Sequence, residues 1–233
     1  MKKASSIALW FLIFALSPLP GQQDTANRVK YSPDFKFNEG VYLNFEQVRQ
    51  NRPVAKSRIV TSIAYDDPDF FDRLLENKKI YFFNDLGVKE EIPVKNLWGY
   101  ARNGVLYIGL NDGYYRITII GSICHFVANL TTYNPSYGNP YYSYPYYGGY
   151  YNYYNPYGTS PGNYTSTEMR QYVLDFKTGR IMEYSVESIE VLLMSDPELH
   201  DEFTALRNKK QKQLKFLYIR KFNERNPLYF TKN

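Results

Sequence analysis

Apolar and polar positions alternate in short runs over the first part of the chain and recur at a helical spacing near its end. Glu39-Gly-Val-Tyr-Leu-Asn-Phe alternates as a half-buried strand does. Phe45-Glu-Gln-Val-Arg-Gln-Asn predicts a short helical turn stopped before Pro53, and 57–65 predicts a second strand. Asp66-Asp-Pro-Asp ahead of Phe70-Phe-Asp-Arg-Leu-Leu-Glu-Asn predicts a helix with an acidic cap and proline in its first turn. From Lys79 the pattern is a meander of β-rich runs at 80–83, 88–94, 97–101, 105–110 and 114–120. Asn103-Gly104 and Asp112-Gly113 supply the positive φ angles that tight hairpins need. Residues 123–128 continue as a strand, and 170–176 with 180–184 form a hairpin around Lys177-Thr-Gly.

The period then changes. Ser185-Val-Glu-Ser-Ile-Glu-Val-Leu-Leu-Met opens with a capping serine and carries a short apolar face. Ser195-Asp-Pro-Glu opens a long helix to about Asn226, where Pro227 ends it. At about 100° per residue, Leu199, Phe203, Leu206, Leu214 and Leu217 share one stripe, with Lys210 inside it. Residues 216–222 are apolar on most sides and are expected to be buried against the sheet, with 228–230 as a docked tail. Strand and helix periods in separate halves predict an α+β fold. It is a mostly antiparallel sheet of meander and hairpins, followed by a C-terminal helical layer with one long basic helix.

Residues 133–164 interrupt this pattern with 13 of the chain's 25 tyrosines, and no Lys, Arg, Asp or Glu occurs between Ile117 and Thr167. Tyrosine, glycine, proline and asparagine in this mixture make turns and extended chain without a core period. The segment 133–167 is therefore a low-complexity insert between two strands of one sheet. Chain closure cost grows slowly with loop length, so a scaffold tolerates such growth. The β-rich core comprises 38–132 and 168–184, and 185–230 is the helical part of the same domain.

Lys2 and Lys3, the apolar stretch 4–16 and the break at Ser17-Pro18-Leu19-Pro20-Gly21 make 1–21 a signal peptide. A retained N-terminal anchor is the alternative, but the stretch is short for a bilayer span. Residues 22–37 lack period and are expected to be a flexible N-terminal segment. No later run is apolar enough to cross a membrane, so the mature chain is expected to have no transmembrane span. Cys124 is the one cysteine. Export without disulfides suits the periplasm or cell surface of a Gram-negative bacterium. There the sequons Asn129-Leu-Thr and Asn163-Tyr-Thr are not expected to be glycosylated.

The net charge of +5 is local in origin. Arg207, Lys209, Lys210, Lys212, Lys215, Arg220, Lys221 and Arg225 face only Glu224 within 207–225. This segment is either the solvated face of a helix or a surface for an anionic partner. Nucleic acid is not an expected partner, since export separates the two.

Few residues carry recognisable chemistry. Cys124 and His125 are strand neighbours, so they point to opposite faces and cannot pair. Asp196 and His200 share a helix face, but Asp196 reads as a cap and no further ligand stands at metal spacing. Asp66, Asp67, Asp69 and Asp72 lack the turn glycine and closing glutamate of a calcium loop. Glu90 with Glu91, and Glu187 with Glu190, read as solvated faces. No catalytic residue, cofactor site or metal site is expected.

Glu39-Gly-Val-Tyr-Leu-Asn-Phe, Asn96-Leu-Trp-Gly-Tyr, Ile120-Gly-Ser-Ile-Cys-His-Phe and the end from Asp196-Pro-Glu-Leu to Lys215-Phe-Leu-Tyr-Ile-Arg-Lys-Phe-Asn-Glu-Arg-Asn-Pro-Leu-Tyr-Phe carry a resemblance. Together they resemble a family of exported, uncharacterised proteins of Bacteroidetes bacteria, over most of 38–132 and 168–230. The resemblance implies an address and no activity. Asp24-Thr25-Ala26 is similar to the O-glycosylation signal of those bacteria; an unmodified terminus is the alternative.

The expected function is that of a non-enzymatic cell-envelope protein binding a protein partner or a polysaccharide through its tyrosines. Tyr141, Tyr142, Tyr144, Tyr146, Tyr147, Tyr150, Tyr151, Tyr153 and Tyr154 are the candidate contacts, because their amphipathic rings suit stacking and hydrogen bonding. Two alternatives stand beside it. One is a small envelope enzyme using the sheet face around Trp98, Tyr100, Tyr107 and His125. The other is an assembly component docking through the basic helix.

Overall fold

The computed structural model describes residues 28–111, 113–134 and 164–231. Its strands are β1 (Arg28–Lys30), β2 (Gly40–Tyr42), β3 (Ile59–Val60), β4 (Lys79–Phe83), β5 (Lys89–Pro93), β6 (Gly99–Arg102), β7 (Val105–Leu110), β8 (Gly113–Ile119), β9 (Ile123–Asn134), β10 (Tyr164–Asp175), β11 (Ile181–Glu183) and β12 (Tyr229–Thr231). Its helices are α1 (Phe45–Arg49), α2 (Phe70–Leu75), α3 (Val186–Leu193), α4 (Pro197–Thr204) and α5 (Asn208–Arg225). The fold is α+β, with mostly antiparallel sheets and helices concentrated towards the C-terminus.

A seven-stranded antiparallel sheet runs β11-β10-β9-β8-β7-β6-β2. Asn103 (φ 53°) and Gly104 (φ 78°) close its β6–β7 hairpin in the left-handed region that the dipeptide favours. Alternate residues point to opposite faces. On one face Tyr42, Ala101, Leu106, Ile108, Ile117, Cys124, Phe126 and Leu174 form a buried cluster. On the other, Val41 and Tyr100 pack with Phe70, Phe71, Leu74 and Ile80 at one end. At the far end Ile123 and Val173 pack with Ile189, Leu193, Leu199, Phe203, Ile219 and Phe222.

Several features depart from the sequence expectations. β9 runs to Asn134 and β10 starts at Tyr164, so both strands extend into the segment read as the 133–167 insert. α2 starts only at Phe70, so Pro68 lies before it, and Asp69 makes no side-chain cap. Residues 57–65 yield only the two-residue β3, after a 3-10 turn at Lys56–Arg58. Beyond it the Thr61 hydroxyl accepts from the Ile63 N–H at 3.1 Å, and Tyr65 Oη donates to the Ile59 carbonyl at 3.0 Å, so side chains divert the backbone from a ladder. β4 and β5 leave the meander and join β3 in a sheet of their own. β5 ends at Pro93, which has no N–H to donate, and the 3-10 turn Val94–Asn96 re-aims the chain before β6.

Residues 28–37, read as part of a flexible lead-in, are folded from Arg28 onward. β1 pairs antiparallel with β12, and Phe35 and Phe37 pack with Phe230 over the first cluster. Finally, the long C-terminal helix is two helices. Ala205 ends α4, and extended Arg207 (ψ 144°) starts α5. The break turns Lys210 to solvent and lets α5 bury Gln211, Tyr218, Ile219 and Phe222, leaving Phe216 and Leu217 exposed at 38% and 44%. Buried Gln211 donates to Glu190 at 3.0 Å and to the Phe203 carbonyl at 3.2 Å.

Candidate functional site

β9 and β10 form the longest ladder of the sheet, with a continuous antiparallel register from Ile123↔Asp175 to Asn134↔Tyr164. β-Branched residues such as Val127, Thr131, Thr167 and Val173 suit a pleated, half-buried surface. The Thr131 and Thr167 hydroxyls meet across the strands at 3.4 Å. This ladder holds both chain ends of the tyrosine-rich segment side by side. The nine candidate tyrosines, Tyr141 to Tyr154, lie outside the described residues.

On the ladder's helical side stands His125, almost fully buried. Its Nε2 lies 3.1 Å from Gln171 Oε1, an arrangement that places the proton on Nε2 as donor. Its ring meets Tyr184 and Phe216 edge-on at 5.1 and 4.7 Å between centroids. Burial holds its pKa below the ordinary 6.5, the Lys215 charge adds to that, and the Gln171 bond opposes it. The folded state thus favours neutral His125, while the unfolded chain takes up a proton near pH 6.5. This contribution to stability is present above that pH and is lost as pH falls through the folded pKa. Titration of the ring by proton NMR is expected to give a midpoint below 6.5; a midpoint at or above 6.5 would contradict the burial.

Lys215 completes this group. Its Nζ donates to the Tyr184 carbonyl at 2.7 Å and sits 3.7 Å from the Tyr184 ring centre. Burial lowers its pKa, neighbouring Lys212 acts in the same sense, and Glu187 opposes both. Between this part of α5 and the outer edge of β10 runs an open groove of about 720 Å³, lined by Met169, Gln171, Tyr184, Lys212 and Phe216 among others.

The basic segment divides in two. In its C-terminal half Lys221 pairs with Glu202 at 2.6 Å and Arg225 with Glu198 at 2.8 Å, so α4 supplies the counter-charges. Nearer its start, Lys209, Lys210 and Lys212 make no ion pair among the described residues.

The remaining sequence candidates are spread over the fold. Cys124 faces the first cluster and donates to the Gly121 carbonyl at 3.3 Å, on the face opposite His125. Burial pushes its thiol up to about 12, so it holds no thiolate at neutral pH. Tyr100 and Tyr107 stack at 4.7 Å within the second cluster, and burial raises the Tyr100 phenol to about 12. Trp98 instead packs on Phe45 at 5.6 Å in the first cluster. The proposed enzyme face therefore belongs to three neighbourhoods, and the structure does not gather it.

Asp196 caps α4, accepting from the Leu199 N–H at 3.2 Å, while His200 lies 3.4 Å from Asp201. Asp67 accepts from the Asp69 N–H and from Arg73, which lower its pKa in that order, and Asp72 pairs with Arg102. Glu91 pairs with Lys79, and Glu90 accepts from Asn84. Among the described residues no group of three metal-ligating side chains gathers, and no helix is long and apolar enough to cross a membrane. Sequence reasoning missed the β10 edge groove. The exposed Met169 between charged Glu168 and Arg170 was its local signal.

Compared with family models, curated proteins and solved structures, the chain matches none.

Proposed function

We propose that this is an exported, non-enzymatic protein of a bacterial cell envelope that binds a protein partner or a polysaccharide through its tyrosine-rich segment. The observation that supports the reading most is the β9–β10 register, which stays paired up to Asn134↔Tyr164 and so presents the segment from two adjoining strand ends. Rigid amphipathic rings give large contact area at low entropic cost, and glycine and asparagine between them let the backbone adapt. The signal-like N-terminus and the resemblance to exported Bacteroidetes proteins support the address. His125, buried and held by Gln171 and two aromatic rings, fits a packing role better than proton transfer.

The test is affinity capture from envelope extract with the intact chain and with a form in which 135–163 is replaced by an Asn-Gly turn. The intact chain is expected to recover a partner that stays bound as salt is raised, because the segment carries no charge. The shortened chain is expected to lose it. Recovery of the same partner by both forms would refute the proposal.

A further inference from the structure

β10 extends well past its outer neighbour. β11 pairs only with Tyr172–Leu174, and the last backbone bond on that side is from the Tyr184 N–H to the Gln171 carbonyl at 2.9 Å. The Asp175 N–H likewise donates outward, to the Arg180 carbonyl at 2.9 Å. In an antiparallel strand every second residue directs its N–H and C=O to the same side. Thr167 and Met169 therefore present their backbone groups to this outer side, where no strand pairs with them among the described residues. Natural sheets cover or blunt such edges, because an unpaired row of donors and acceptors is a template for another strand.

What flanks the edge is specific. Towards α5 lie Met169, 71% exposed, and Phe216, 38% exposed, with Lys212 beside them in the groove. On the other face Arg170 is shared by Glu168 at 2.9 Å and Glu183 at 3.2 Å, which also line the groove, so that side is net negative and the positive charge lies on the α5 side. α5 also breaks a rule of helix construction. Arg207 provides no side-chain cap, the first turn has no acid, and Lys209, Lys210 and Lys212 cluster at the positive end of the helix dipole. Cations there are unfavourable, and Glu187 of α3 acts on Lys212 and Lys215 through its charge without forming an ion pair with either. An anionic partner relieves this conflict, whereas Lys221 and Arg225 in the C-terminal half already have their counter-charges in α4.

We propose that the outer edge of β10 from Thr167 to Gln171 takes up an extended, acidic segment of a partner protein as an added strand. Its backbone pairs with Thr167 and Met169. The side chains it turns towards α5 meet Met169 and Phe216 where they are apolar and Lys212 and Lys215 where they are carboxylates. This is strand addition, in which main-chain bonds supply affinity and alternate side chains supply specificity. It is independent of the tyrosine-rich segment, and the shortened chain described above should retain it.

The probe is a blocked peptide in which Ser alternates with Glu, Val and Glu, titrated against the intact chain by fluorescence anisotropy. Binding is expected, with none for the same peptide carrying Lys in place of Glu. Met169→Pro removes the outward N–H without touching the bonds to β9, and should weaken binding roughly tenfold or more. Met169→Thr keeps that N–H and should lose less. Lys212→Glu, at an exposed helix position, should reverse the preference between the two peptides. Three results would overturn the proposal. They are no binding by the intact chain, equal binding by a folded Met169→Pro variant, and unchanged preference in Lys212→Glu. Binding of a linear polyuronate in place of the peptide, equally by intact chain and Met169→Pro, would show a polysaccharide surface instead and also overturn it.

Discussion

Replacing Phe230 by alanine is expected to destabilise the protein by about 3–5 kcal/mol, the largest effect among the substitutions considered. The ring is fully buried and lies 4.5 Å from Phe35, 5.3 Å from Phe37 and 5.5 Å from Phe176. It is the point at which both terminal segments meet the seven-stranded sheet, since Phe230 is paired with Val29 in the β1–β12 ladder. Truncation leaves a cavity among these rings and that of Tyr31, and they cannot collapse into it without pulling the two short strands apart. A two-stranded ribbon of three-residue strands has little stability of its own, so it separates once its anchor is gone. Urea unfolding followed by tyrosine fluorescence measures the loss. A change below about 1 kcal/mol would mean that the termini are not docked as described.

Asn223→Leu is expected to cost about 2–5 kcal/mol for a different reason. From α5, the Asn223 amide donates to the Ile123 carbonyl at 2.8 Å and accepts from the Ile123 N–H at 2.8 Å. Ile123 is buried at the first position of β9, where strand pairing does not yet supply both partners. Leucine has a similar volume but leaves two buried backbone groups unpaired. Gly121 shows how tight the approach is, since a Cβ there would stand 2.4 Å from the Asn223 amide. Amide hydrogen exchange is the sharper readout. The Ile123 N–H should exchange at least tenfold faster in the variant, relative to amides in β7. Unchanged protection would show that the bridge is not formed.

Local signals carried much of the fold. The β-rich run at 105–110 is β7, buried at Leu106 and Ile108, and Ser185 and Asp196 both cap helices with their side chains. The failures have a common physical cause, which is that long-range packing decided them. Nothing local at Arg28–Lys30 indicates a strand, because its partner β12 lies at the other end of the chain and the aromatic residues that fasten it are not periodic. No glycine or proline marks the break at 205–207, where an unbroken helix would have carried Lys210 into the apolar stripe. Of the candidate surfaces, the basicity of 207–225 was plain in the sequence. Which cations are neutralised was not, since Glu198 and Glu202 reach them only through the packing of α4 on α5. The β10 groove was hidden because it depends on where β11 stops.

In the proposed function the body closes its own core and carries the tyrosine-rich segment as a contact surface. Among the described residues, three clusters of buried side chains form the core. Thermal unfolding of the intact chain beside the form with 135–163 replaced by Asn-Gly tests this most directly. Midpoints within about 2 °C of each other, with equally sharp transitions, are the predicted result. A fall of about 10 °C or more, or a broad transition in the shortened form, would contradict it, because the segment's rings would then belong to the core.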